Sequence, residues 1–336
     1  MSIIKPSRRL LCRSLIAAPF VLRKASAQIM IEPQITPNVP AQAQAVGYTK
    51  LAFSDEFTSL STIDINNTKA GGFKWYVNNA FPATYTGGTG NAWHAALPTP
   101  PSAIAQNGSY VTLLDDFSHN PIGLCSVVAT GSGVGQVSGT SFSNGFYAEV
   151  RMSFDPTLSG GGLAWHGWPI YWFISRPFLD GTITNGGSAY MEIDGFEGFP
   201  TNGPSIDPIM TLHDYQFAGG NHNSNNNKIN SFIFGIPGFK WTDLHTLGTL
   251  YVTMANNGGT GYIKRYLDDV YINKSQINGV GSEVDFNVSL PCVPGASPSN
   301  PNGTFTAGDS WDYPIMLGTG HNWPTTFDFV RIWQAP

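Results

Sequence analysis

A chain of 336 residues with 41% hydrophobic and 12% charged residues has ample apolar material for a large core, and this composition excludes intrinsic disorder. The formal net charge of -5 argues against nucleic acid and against an anionic membrane surface as partners. The 38 glycines and 24 prolines point to many turns joining short strands.

In chain order, the first segment is a targeting sequence. Lys5, Arg8, Arg9 and Arg13 form a positive region, Ser14 to Leu22 form a short apolar stretch, and Ala25-Ser26-Ala27 is a small-residue cleavage site before Gln28. The pair in Ser7-Arg8-Arg9-Leu10-Leu11 resembles a twin-arginine export signal, the alternative being an ordinary secretory signal. The apolar stretch is too short to span a bilayer, and no later stretch is long enough. The expected location of the mature protein is therefore secreted or periplasmic, with residues 1–27 removed. Cys12 leaves with the signal, so Cys125 and Cys292 could form one disulfide or stay as two buried thiols.

Residues 28–46 read as a Pro-containing lead, and 47–336 as one all-β domain. Val150 to Phe154 alternates apolar and polar side chains as a half-buried strand does. Trp168 to Ile174, Tyr190 to Phe196, Ile209 to Tyr215, Leu247 to Met254 and Phe327 to Trp333 also read as strands. No stretch has a convincing helical period. Clusters at Pro82 to Gly90, Pro98 to Pro101, Gly219 to Asn227 and Pro291 to Gly303 read as long loops, the usual carriers of binding function.

The most informative segment is Met191-Glu192-Ile193-Asp194-Gly195-Phe196-Glu197. In a regular strand Glu192 and Asp194 share a face, and the next residue on it would be Phe196. A β-bulge near Gly195 and Phe196 would return Glu197 to the face of the other two acids, and Gly within a strand pattern is itself a bulge signal. Three crowded carboxyl groups raise at least one pKa, so one can stay protonated while another is ionised. That pair is the equipment of glycoside cleavage. A solvated strand edge or a calcium site would also use clustered acids.

Glu192-Ile193-Asp194-Gly195-Phe196-Glu197 also resembles the bulged Glu-x-Asp-x-x-Glu signature of glycoside hydrolase family 16. Further blocks resemble this family in order: Leu51 to Phe57, Asn144 to Met152, Trp168-Pro169-Ile170-Tyr171-Trp172-Phe173, Thr211-Leu212-His213, and Asp328 to Trp333. The resemblance implies a β-jelly-roll sandwich of two curved antiparallel sheets with the sugar across the concave one. It implies Glu192 as nucleophile, Glu197 as acid/base and Asp194 as the acid that orients the pair. It also implies retention of configuration, with the two carboxyl groups about 5 to 5.5 Å apart. Gly195 departs from the aliphatic residue usual in the family, so the strand is expected to bend more or to admit a bulkier sugar. The segments Pro82 to Pro101 and Asp285 to Asp309 match no family block and are expected to be loops.

Other residues are candidates for the groove. Trp168 and Trp172 share a strand face and either stack on sugar rings or pack in the core. His213 could reach the acids or be a structural histidine. Trp93, Trp165, His166 and Tyr190 are further groove candidates. Asp328 matches the family's closing-strand acid, which implies a possible structural calcium; no cofactor is expected for catalysis.

The leading reading is an endo-acting β-glycosidase on a polysaccharide, first a β-1,3- or mixed-linkage glucan, expected as a monomer. A hydrolase or transglycosylase acting on a galactan or bacterial exopolysaccharide, and a non-catalytic lectin on the same fold, stay open. A lyase is disfavoured by the intact acid triplet.

Overall fold

The computed structural model describes residues 37–77, 99–114, 122–130, 136–156, 169–179, 190–200, 206–215, 223–228, 237–253, 255–257, 262–272, 286–287, 311–319 and 324–336. Of residues 177–178, 190–191, 199–200, 206–215, 223–228, 257 and 286–287 only the backbone is described. The expectations for residues 1–27, Trp93, Trp165, His166, Trp168 and Cys292 lie outside the described residues.

The described chain is nearly all strand. In order the strands are β1 (Lys50–Asp55), β2 (Ile63–Asp64), β3 (Trp75–Tyr76), β4 (Ile104–Asn107), β5 (Tyr110–Leu113), β6 (Ile122–Cys125), β7 (Val127–Ala129), β8 (Val137–Gly139), β9 (Phe146–Phe154) and β10 (Ile170–Ile174). There follow β11 (Tyr190–Pro200), β12 (Ile206–Tyr215), β13 (Asn223–Lys228), β14 (His245–Val252), β15 (Tyr262–Leu267), β16 (Val270–Tyr271), β17 (Phe286–Asn287), β18 (Ile315–Thr319) and β19 (Thr325–Gln334). The α-helices among the described residues are single turns, α1 (Ala41–Gln44) and α2 (Arg176–Leu179).

Two large sheets form a β-jelly-roll sandwich. One runs β16-β15-β14-β9-β19-β5-β4, with β1 added on β19 and β17 on β15; the other runs β13-β12-β11-β10-β18-β6-β3-β2. Pairing is antiparallel except between β2 and β3. Every expected strand with described residues is present. The expected loop over Gly219 to Asn227 is different: Asn223–Lys228 forms an edge strand along β12. Its sequence, Asn-Ser-Asn-Asn-Asn-Lys, lacks the apolar alternation that marks a strand with a buried face. The pair Phe286–Asn287, also expected in a loop, adds to β15.

The sandwich core is built from alternate residues of both sheets. Phe146, Ala148, Val150, Leu247, Ile263, Val330 and Ile332 come from the first sheet, and Leu124, Tyr171, Phe173, Ile193, Phe196 and Leu317 from the second. The register makes one row of the second face, with Phe196 beside Tyr171, Tyr171 beside Leu317 and Leu317 beside Leu124. A smaller cluster covers the outer side of the first sheet. There Ala43 of α1 and Tyr48 pack on Tyr147, Leu250, Val252 and Trp333. Gln42 fastens this cover through its side-chain amide, which donates to the Tyr147 hydroxyl at 2.6 Å. Residues 37–46, read from sequence as lead, are thus part of the compact unit that begins at Pro37.

Candidate active site

The acids are placed by a bulge in β11. Facing β10, Tyr171 pairs with Phe196 and the next residue, Trp172, pairs with Asp194, so Gly195 is the extra residue. Facing β12, the chain runs from Ile193 to Glu197 while its partner runs only from Leu212 to Ile209. Both neighbours see the same single insertion, and it falls where the sequence predicts it.

The consequence for side-chain direction is exact in register. Glu192 pairs with Ile174, Asp194 with Trp172 and Glu197 with Ile170, and these three partners alternate on one face of β10. That face is not the sandwich core: Tyr171 and Phe173 point there, as do Ile193 and Phe196. The bulge therefore puts all three carboxyl groups on the outer face of the second sheet. Asp194 is fully buried, Glu197 is 4% exposed, and Glu192 is partly exposed.

The Asp194 carboxyl lies beside those of Glu197 and Glu192, which bear directly on its ionisation. Ionised carboxylates only accept, so any hydrogen bond within this group needs a proton on one member. Burial raises the Asp194 pKa to about 7, against the lowering effect of both glutamate contacts and of the Arg265 charge. The group can therefore store a proton near neutral pH and pass it between neighbours, which is what acid/base chemistry at a single bond requires.

The floor beside the acids is apolar. Trp172, next to Asp194, lies in a cluster with Ile170, Ile174, Met316, Cys125 and Leu179 and is only 4% exposed. Its place on the acid face agrees with the sequence reading, but its ring is packed into the floor rather than offered as an open stacking platform. Cys125 is in the same floor. Tyr190 and His213 lie on the strands expected of them, and His213 stands opposite Glu192 in register.

Gly195 has a reason other than the one expected. A Cβ there would overlap Cε2 and Cζ of Tyr171, whose ring lies in the core. The missing side chain makes room for a core tyrosine, and the space it leaves does not open toward a sugar. Tyr171 then reaches the other sheet, with its hydroxyl 2.9 Å from the Thr249 hydroxyl and donating to the Leu247 carbonyl at 3.3 Å.

Asp328 sits at a bulge of β19, between Phe327 and Phe329. Its carboxylate accepts from the Arg151 guanidinium at 3.0 Å. Among the described residues no three His, Cys, Asp or Glu side chains gather to hold a metal. The residues at Asp328 fit a salt bridge, with a cation already in place, rather than a calcium site.

A cavity of about 540 Å³ lies on the other sheet, lined by Pro40, Gln42, Glu149, Asp269 and Arg331, and it holds none of the predicted site residues. Burial, with the nearby Asp269 charge, pushes Glu149 up to about 7 there.

Sequence reasoning missed the supports of the bulge, above all Arg265. The signal was present: in Tyr262 to Leu267 the buried face reads Ile263, Arg265, Leu267, a cation within an apolar alternation.

No family model matches this chain, and no curated protein does. Solved structures are similar to it at low identity. An endo-1,3-β-glucanase from Streptomyces sioyaensis is 14% identical with a TM-score of 0.48, covering 89% of this chain and 99% of that one. A family 16 glycosyl hydrolase from Mycobacterium smegmatis is 17% identical with a TM-score of 0.44, covering 84% and 100%. A GlcNAcα1-4Gal-releasing endo-β-galactosidase from Clostridium perfringens is 16% identical with a TM-score of 0.46, covering 89% and 64%.

Proposed function

We propose that this chain is an exported β-glycoside hydrolase of family 16 that cleaves a polysaccharide internally with retention of configuration. The observation that carries the reading is the β11 bulge, which turns Glu192, Asp194 and Glu197 onto one face outside the core, with Asp194 buried between the two glutamates in sequence. A lectin has no use for a proton-sharing group of three acids.

In this reading Glu197 gives its proton to the departing glycosidic oxygen while Glu192 attacks the anomeric carbon. The bond from carbon to the leaving oxygen breaks, and a glycosyl ester on Glu192 forms. Glu197, now ionised, takes a proton from an incoming water or sugar hydroxyl, whose oxygen displaces Glu192. Asp194 holds both glutamates in place and shifts its proton between them as their charges change. Water as acceptor gives hydrolysis, and a sugar gives transglycosylation. The substrate we favour is a β-1,3- or mixed-linkage glucan, and the Arg8-Arg9 segment supports export.

The test is reducing-end release from laminarin, lichenan, xyloglucan, agarose, carrageenan and a bacterial exopolysaccharide, with Glu192→Gln as control. Release from one polymer that vanishes in the control supports the reading and names the substrate. Binding to a polymer with no release from any would favour the lectin instead.

A further inference from the structure

Arg265 occupies a core position. Its neighbours on the same face of β15, Ile263 and Leu267, belong to the sandwich core, and Arg265 itself is 1% exposed. Its guanidinium spans the sandwich, and Nη2 donates to the main-chain carbonyl oxygen of Asp194 at 2.8 Å. Thr249, its register partner on β14, meets the hydroxyl of Tyr171, the residue whose ring fills the space beneath Gly195. The catalytic bulge is thus held from the core side by one rigid ring and one cation, both anchored on the opposite sheet.

A guanidinium is an expensive group to bury, and an apolar side chain of similar volume packs a core at least as well. What distinguishes this place is what the cation faces. Immediately across the bulge stand three acids, one of them fully buried.

We propose that Arg265 is a positioning residue of the carboxylate centre: it fixes the Asp194 carbonyl at the bulge and supplies, from the opposite sheet, a positive charge behind the buried Asp194. This rests on the catalytic reading of Glu192, Asp194 and Glu197. Among the described side chains, the titratable groups facing Asp194 are Glu192 and Glu197 from its own strand and Arg265 from β15, while Tyr171 of β10 faces Arg265. Burial pulls the Arg265 pKa down only to about 10, so it keeps its charge at neutral pH. That charge lowers the Asp194 pKa, and its loss moves Asp194 to later ionisation.

The experiment compares the wild-type protein with Arg265→Lys, Arg265→Gln and Arg265→Met. One readout is the titration of ¹³C-labelled carboxyl groups by NMR, with Asp194 assigned through Asp194→Asn. The other is kcat and KM against pH on the cleaved polymer. Gln and Met should raise the Asp194 titration and the acid limb of the rate profile by about one pH unit. They should also lower kcat by at least ~10-fold with KM little changed. Lys should restore the pH profile while recovering only part of the rate. The proposal is overturned if folded Gln and Lys variants both titrate as wild type, or if Lys shifts the acids as far as Gln does. Should Met fail to fold, the Lys and Gln pair still decides, because both keep a hydrogen-bond donor and differ in charge. The titration needs no substrate, so failure of the wild type on every polymer would sink the catalytic reading separately from Arg265's hold on Asp194.

Discussion

Gly195 and Tyr171 occupy a single niche: the ring of one lies where the side chain of the other would be. The ring is fixed by its hydroxyl contacts to Thr249 and Leu247 on the far sheet, so it cannot swing aside. Gly195→Ala should therefore overpack the core, at a cost of about 1–3 kcal/mol. Displacing the bulge should also lower kcat by ~100-fold, since small misplacements of reacting groups have such effects. Thermal melting and steady-state kinetics of the variant check both. An alanine variant with normal stability and rate would mean that the niche is slack.

Glu192→Gln should abolish turnover while folding and sugar binding persist, because Glu192 is partly exposed and contributes little to packing. Glu197→Gln should lower kcat by roughly 10²–10⁴-fold, the range of a lost general acid. Kinetics on the polymer found by the panel decide this, and a Glu192→Gln enzyme with near wild-type rates would remove the nucleophile assignment.

Stability should fall as pH rises from about 4 to about 7. The folded protein holds Asp194 and Glu149 protonated to about 7, above their ordinary values of 3.8 and 4.5, so in this window it binds more protons than the unfolded chain. Stability is then fully present below the unfolded values and is lost as pH rises through the folded ones. Asp194→Asn should flatten the curve and stabilise the protein near pH 8, at the expense of activity. Denaturant melts at four pH values measure this, and a curve that rises across the window would contradict both assignments.

The pair Glu56 and Arg331 ties β1 to β19. The guanidinium donates from Nε at 2.9 Å and Nη2 at 2.7 Å to the two carboxylate oxygens, and it lies 3.7 Å over the Phe329 ring. Both side chains are 19% exposed, so water screens only part of the interaction. Glu56→Gln should cost about 1 kcal/mol, discounted for that exposure, and leave kcat unchanged. A changed kcat with normal stability would mean that β1 influences the acids.

Chelation should leave the melting temperature unchanged, because Arg151 already neutralises Asp328. A fall in melting temperature with EDTA, restored by calcium, would show that the Arg151 pair gives way to a metal.

The bulge and the shared face of the three acids were legible in sequence because they are local. Glu192, Asp194, Gly195 and Glu197 lie within one strand, and period-two geometry plus one inserted residue suffices to align them. Strands with apolar alternation were legible for the same reason. What escaped is what depends on a distant partner. Nothing near Gly195 names Tyr171 of the neighbouring strand as the ring beneath it, and nothing near Arg265 names the Asp194 carbonyl on the opposite sheet. The edge strand Asn223–Lys228 escaped because main-chain pairing leaves no mark on side-chain pattern. Trp172 was ambiguous because one strand face carries both the acids and a packed floor, and alternation cannot tell an open ring from a covered one.

The single turn of α1 has a bearing on how the protein should be made. Gln42 grips Tyr147 and also donates to Asp269 at 2.9 Å, and Ala43 closes over Tyr147, Leu250, Val252 and Trp333. An expression clone trimmed to the first strand would leave that apolar patch wet and prone to self-association, whereas one beginning at Gln28 would keep the plug attached. A useful recombinant form therefore starts no later than Pro37, however dispensable its proline-dotted leader looks on paper.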